Sequence, residues 1–169
     1  AKCILTAGRP DILTTETEGG EEPEYDTEAM AQLKTSRETA LDILFDASRS
    51  VPEALALLLL YGYQAQAELD GEEIQPFHPD NALDSIREFL KSGDPADMTR
   101  FFSTLELLTP DWESQLQTPS PAPWSDCHLA LAGYLTQRYW LQAVSDYDLY
   151  ARVKFIVISC LLVQYLGGD

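Results

Sequence analysis

The chain has little histidine, little cysteine and little positive charge. Its two histidines and three cysteines are spread over 169 residues. Cys3, Cys127 and Cys160 are far apart and odd in number, so they form neither a disulfide framework nor a Cys-x-x-Cys metal pair. His78 and His128 have no second ligand at metal spacing, and the inward Glu-x-x-His pairs of a di-metal helical protein are absent. There is no Gly-x-Ser-x-Gly elbow and no cysteine with an evident histidine partner, which removes the usual signatures of nucleophilic catalysis. Gly19-Gly20 and Gly167-Gly168 stand outside any strand-to-helix turn, so no loop is marked to cradle a phosphate. Lys and Arg number 11 against 28 Asp and Glu, giving a net charge of −17. Nucleic acid and anionic membrane are therefore poor partners, since both need cations to displace their counterions. Basic or lysine-bearing partners fit better, although the same charge also serves simply to keep the protein in solution. Ala1 to Pro10 holds no apolar stretch flanked by basic residues, so no signal peptide is expected there, and the expected setting is reducing and cytoplasmic.

What is present in quantity is apolar and aromatic. Hydrophobic residues make up 45% of the chain, with eight Tyr, six Phe and three Trp, enough for one domain with its own core. A stretch free of Gly and Pro lies at the end, from about Tyr147 to Leu166, between Ser145-Asp146 and Gly167-Gly168. From Phe155 onward it is apolar on nearly every side, which places it at the centre of a bundle. The run Phe155-Ile156-Val157-Ile158 is also compatible with a buried strand, but length and the missing breakers favour helix. Lys154 cuts the apolar run to about a dozen residues, short of the roughly 20 that a membrane span needs.

Residues 1–26 read as an acidic extended leader, either a solvated linker or an electrostatic arm, with Glu16, Glu18, Glu21, Glu22, Glu24 and Asp26 too polar to bury. Residues 27–169 read as a helical domain. A helix is predicted over Thr27 to Ala47, with Met30, Leu33, Leu41 and Leu44 on one face. Ser50-Val51-Pro52-Glu53 is a capping box, opening a helix that runs to about Leu69 and stops at Asp70-Gly71. Its first half is apolar all round and is expected to face the last helix. Further helices are predicted from Asp80 or Asn81 to Gly93, from Asp94-Pro95 through Leu108, and as a short turn at Thr109-Pro110-Asp111-Trp112. The alternating prolines of Thr118 to Pro123 read as a stiff connector rather than a docking motif. After them Ser125 or Asp126 caps a helix through Val144, which turns at Ser145-Asp146 into the last one. The sum is an all-α bundle of six or seven helices around a buried C-terminal helix.

Carboxylates such as Glu72, Glu73, Asp84, Glu88 and Asp97 fall on polar faces or in loops, where solvation is the default. The closing hairpin differs: Tyr134, Arg138, Tyr139, Arg152 and Lys154 put positive charge and aromatic rings together in a very acidic protein. Two readings stand. Arg138 and Arg152 pair with Asp146 or Asp148 across the turn and fix the hairpin, or these five residues bind an anionic ligand. No catalytic residue and no metal ligand is assigned.

The same residues carry a resemblance. Tyr134-Leu135-Thr136-Gln137-Arg138-Tyr139-Trp140-Leu141-Gln142-Ala143-Val144, followed by Asp146-Tyr147-Asp148-Leu149-Tyr150-Ala151-Arg152-Val153-Lys154-Phe155, resembles the C-terminal helical region of the bacterial flagellin lysine N-methylase family. Glu38 to Asp46 and the leucine-rich stretch Glu53 to Tyr61 are similar to an earlier part of that region, and Ala1-Lys2-Cys3-Ile4-Leu5 to the residues after a Cys-x-Glu-Ala element. The resemblance implies a cysteine-rich N-terminal half outside this chain, holding an iron–sulfur or zinc centre. It further implies S-adenosylmethionine-dependent methyl transfer to lysine by the whole protein. No cofactor is expected in this chain, no role is carried onto Cys3, and the expected partners are that half and a lysine-bearing substrate such as flagellin. Two other classes remain open: a stand-alone acidic helical module that binds a basic protein, and an adaptor that dimerises through exposed Trp and Tyr.

Overall fold

The computed structural model describes residues 26–72 and 120–167, together with Asp111, Ser114 and Thr118. Four α-helices account for most of them: α1 (Thr27–Leu44), α2 (Val51–Leu69), α3 (Asp126–Tyr139) and α4 (Leu149–Leu166). A 3₁₀ segment, Trp140–Ser145, joins α3 to α4, and there is no strand among the described residues. The expected leader before Asp26 and the helices expected between residues 80 and 108 lie outside the described residues. Asp111 and Ser114 have helical backbone where the sequence predicts a short helix or turn.

Local chemistry explains most of the boundaries. Asp26 Oδ1 accepts the Glu28 and Ala29 amides at 2.9 and 3.0 Å, capping the donors that open α1. α1 ends at Leu44, short of the predicted Ala47, because Asp46 Oδ1 takes the Ser48 amide and hydroxyl at 2.9 and 2.7 Å and turns the backbone away. Glu53 Oε2 reaches back to the Ser50 amide and hydroxyl at 2.8 and 2.6 Å, as the capping sequence predicts. Beyond α2, Gly71 takes φ +74°, a left-handed turn that glycine enters without steric cost. The proline connector is strapped to the far end of α4: Gln164 O accepts the Ala122 amide at 2.6 Å and Gln164 Nε2 donates to Ala122 O at 3.0 Å.

The helix predicted to run through Val144 instead tightens to 3₁₀ at Trp140. The Trp140 ring is fully buried, donates Nε1–H to Ser36 Oγ of α1 at 2.9 Å, and stacks on Tyr61 of α2 at a centroid distance of 6.3 Å. Reaching both partners from the end of α3 takes precedence over continuing α-helical geometry, and tightened last turns are a common solution. α4 starts at Leu149, two residues later than predicted, because Tyr147 adopts φ +57°. That conformation is uncommon for a tyrosine. It is held from both ends, with Tyr147 Oη donating to Asp26 Oδ2 at 3.0 Å and Gln66 Nε2 donating to Tyr147 O at 2.8 Å.

α4 runs antiparallel to α2, with Gly62 against Val153 and Gln66 against Tyr150, and antiparallel to α3. The helix enclosed on all sides is the first half of α2, where Ala54, Leu55, Ala56, Leu57 and Leu58 are buried in unbroken succession. Among the described residues α4, expected to be enclosed, is packed on one flank. Leu149, Val153, Ile156, Val157 and Cys160 face α2, α3 and the 3₁₀ segment, while Phe155, Ile158, Leu161 and Val163 are 38 to 49% exposed. Apolar composition sets what a helix tolerates around it, and its neighbours among the described residues lie on one side. It is the one described helix long and apolar enough to cross a membrane by length and composition, and 33% of it is buried.

Two packing details give tests. A methyl on Gly62 would lie 2.6 Å from a buried Val153 methyl, and β-branched Val153 has no other rotamer to take up within a helix. Gly62→Ala is expected to lower stability by about 1–2 kcal/mol, the overpacking cost exceeding the gain in helix propensity. Gly133→Ala meets the Phe45 ring, which is 55% exposed and swings into solvent, so denaturant titration should find it close to neutral. Thr136 is fully buried with Oγ1 unpartnered. Removing that hydroxyl at constant shape, as Thr136→Val, should raise stability by about 1 kcal/mol.

Candidate functional site

The five residues singled out by the sequence are not gathered into one site. Arg152, one turn into α4, forms a bidentate pair with Asp146, Nη1 to Oδ1 at 2.9 Å and Nη2 to Oδ2 at 3.0 Å. The other hydrogens of its two Nη groups go to backbone carbonyls, Nη1 to Asp148 at 2.6 Å and Nη2 to Gln142 at 3.3 Å. Arg152 thus latches the 3₁₀ segment, the turn and α4 together, one of the two readings left open by the sequence. Arg138 lies over the Tyr139 ring at 5.5 Å. Hydrogen bonding to Tyr139, then the charges of Tyr134 and Tyr139, hold its guanidinium above the usual arginine range. Tyr134 is exposed one turn before it on the same helix. Lys154 projects from another flank of α4, over the Tyr150 ring at 4.9 Å, and Tyr150 in turn meets Tyr63 edge-on at 5.7 Å.

Tyr139 and Arg152 do share a shallow cleft of about 340 Å³ with Gln142, Ala151 and Phe155. Its walls are largely apolar: the Tyr139 and Phe155 rings meet edge to face at 5.5 Å, inclined 85°. Its one cation is already neutralised by Asp146, so the cleft offers shape and aromatic surface in place of charge. Phe155 and Gln142 were not among the residues marked by the sequence. Phe155 sat in a run read wholly as core, and nothing local distinguishes Gln142.

The most consequential polar residue that the sequence leaves unmarked is Gln66. Its Oε1 accepts the Tyr150 amide at 2.9 Å while Nε2 donates to Tyr147 O and to Asp70, so one side chain of α2 caps the start of α4. Asp148 Oδ1 takes the Ala151 amide at 3.0 Å from the other side. Among the described residues no group of three or more His, Cys, Asp or Glu could hold a metal ion. His128 Nδ1 lies 3.2 Å from the Ser125 amide and hydroxyl, capping α3, and the ring meets Trp124 at 4.9 Å. Cys160 is buried, its thiol 3.5 Å from His128 O, and burial pushes it up to about 11, so it stays protonated and unreactive at neutral pH. Of the tryptophans proposed as a dimer contact, Trp140 is core and Trp124 half-buried. Trp112 lies outside the described residues.

The Arg152 latch has a pH signature. Its hydrogen bonding holds the Asp146 carboxyl below the ordinary 3.8, with a smaller contribution from the Asp148 amide. A carboxyl lowered on folding contributes stability above its unfolded value and loses it as pH falls through the lowered folded value. Below about pH 4 the melting temperature of the native chain should therefore fall more steeply than that of Asp146→Asn. Equal acid limbs in thermal melts would show that the pair carries no pH-dependent stability.

No family model matches the chain, and neither a curated protein nor a solved structure does.

Proposed function

We propose that this chain is the non-catalytic, C-terminal helical part of a flagellin-lysine-N-methylase-like cytoplasmic protein, serving to bind a lysine-bearing substrate or to pack on a cysteine-rich N-terminal half. In this reading S-adenosylmethionine and the iron–sulfur or zinc centre belong to the rest of the protein. The resemblance over Tyr134 to Phe155 supports it, and those residues form one latched hairpin. The observation that carries the binding role is a charge asymmetry. Residues 26–72 hold nine carboxylates against three Lys or Arg, whereas residues 120–167 hold three of each. Glu38 and Asp42 lie one turn apart and exposed on α1, and Glu68, Asp70 and Glu72 crowd the exposed end of α2. Such a face attracts lysine ammonium groups, which are compact point charges.

The whole chain, in the same proposal, is a bundle of six or seven helices. Its support is the run of cap-and-proline start signals between Asp80 and Trp112.

The test is titration of the chain with a lysine-rich flagellin at low and high salt. Affinity should fall at least tenfold between about 20 and 300 mM salt, and Glu38→Gln with Asp42→Asn should weaken it at low salt. Salt-insensitive binding, or methyl transfer by this chain alone at the rate of the intact protein, would overturn the proposal. The same asymmetry favours a second reading, a stand-alone module for basic proteins. Equal affinity for any basic protein of similar charge would select that one.

A further inference from the structure

We infer that His128 is a pH-sensitive clasp: its neutral ring closes the start of α3 and holds the proline connector, and a second proton on that ring lets both go. The clasp is separate from the lysine-binding reading, which uses the carboxylates of α1 and α2. The capping box that opens α3 pairs Ser125 with a histidine, at the position where Glu or Gln is usual. The Ser125 amide lies 3.2 Å from Nδ1. An amide N–H can only donate, so Nδ1 supplies a lone pair and the single hydrogen of the neutral ring sits on Nε2. Glutamine in that place would keep its acceptor at any pH. Imidazole takes its second proton on Nδ1, the atom that accepts.

The surroundings oppose that proton in three ways. A hydrogen on Nδ1 faces the Ser125 N–H, and turning it instead to Ser125 O or Oγ, each at 3.2 Å, leaves the Ser125 amide without its acceptor. His128 is 4% exposed and its Nε2 is buried with no partner, so the charged ring would seal a cationic donor away from any oxygen. The first-turn amides of α3 also present the positive end of the helix to it. Few groups offset these effects. Asp126 and Cys127 neighbour the ring in sequence on α3, and both are exposed. The connector presents the Trp124 ring at 4.9 Å, and α4 presents the Cys160 thiol, which donates to His128 O at 3.5 Å. Residues 155–167 of the chain carry no charge. Among the described residues no hydrogen bond, ion pair or ring contact joins His128 to a charged side chain. When the ring leaves, Trp124 loses its packing partner, and the two bonds between Ala122 and Gln164 remain as the connector's tie to α4.

The open clasp takes up a proton that the closed one excludes, so opening grows as pH falls. A freely exposed imidazole takes that proton near pH 6.5, which makes the expected rise in opening about tenfold between pH 7.5 and 5.5. Hydrogen exchange on the full chain, corrected for the intrinsic rate at each pH, reads this at the amides of residues 125–129. Their protection should fall about tenfold over that range, while protection in the first half of α2 stays constant. His128→Gln keeps a capping acceptor that binds no proton, and should give equal protection at both pH values. His78→Gln should retain the fall of the native chain. Nitrogen NMR of the native imidazole should find Nδ1 without a hydrogen at pH 7.5, a measurement that needs no variant to fold. Protection indifferent to pH in the native chain, an equal fall in His128→Gln, loss of the fall in His78→Gln, or a hydrogen on Nδ1 at pH 7.5 would each overturn the inference.

Discussion

An indole sealed from water must find an acceptor for its N–H, and much of this structure follows from where Trp140 finds one. Leaving that donor unpaired would cost on the order of 1–3 kcal/mol, and burying the ring removes a large apolar area from solvent. Ser36 provides the oxygen, itself anchored by donating to Leu33 O at 3.2 Å, and Tyr61 provides the stacking surface. One side chain therefore fixes the junction of α3 and the 3₁₀ segment against both α1 and α2. The tightened turn then delivers the chain to Asp146, where Arg152 closes the corner. Secondary structure at this point is a consequence of tertiary demand.

The helices whose ends are written in side-chain chemistry were legible in the sequence. Ser50 with Glu53, Asp26 before Thr27 and Asp70-Gly71 each act within a few residues, so the residues that cause the boundary stand next to it. What was not legible depends on distant partners. The switch at Trp140 needs Ser36, 104 positions away, and the late start of α4 needs Gln66 and Asp26 to stabilise Tyr147 in a left-handed conformation. The placement of α4 shows the same limit. Apolarity on every side marks both a central helix and one that offers a flank, and among the described residues α2 is the more enclosed one. The candidate site was partly legible for a similar reason. Tyr139 and Arg152 share a cleft, but the charge of Arg152 is consumed in the hairpin and Lys154 stands elsewhere.

The described surface separates two kinds of attraction. α1 and the end of α2 concentrate negative charge, which acts over a distance and yields to salt. The second half of α4 is uncharged from Phe155 to Gly167 and acts only on contact, through area and fit. A protein so divided can hold one partner by charge and another by shape without competition between them, because the two faces lie on different helices.

Gln66 joins these parts through an amide that donates on one side and accepts on the other. Deamidation, a slow chemical ageing of glutamine, would replace its donor with a second acceptor. Tyr147 O would then face a carboxylate oxygen, and Asp70 would face a like charge. Loss of that one amide would therefore loosen the corner between α2 and α4 without any change in the core.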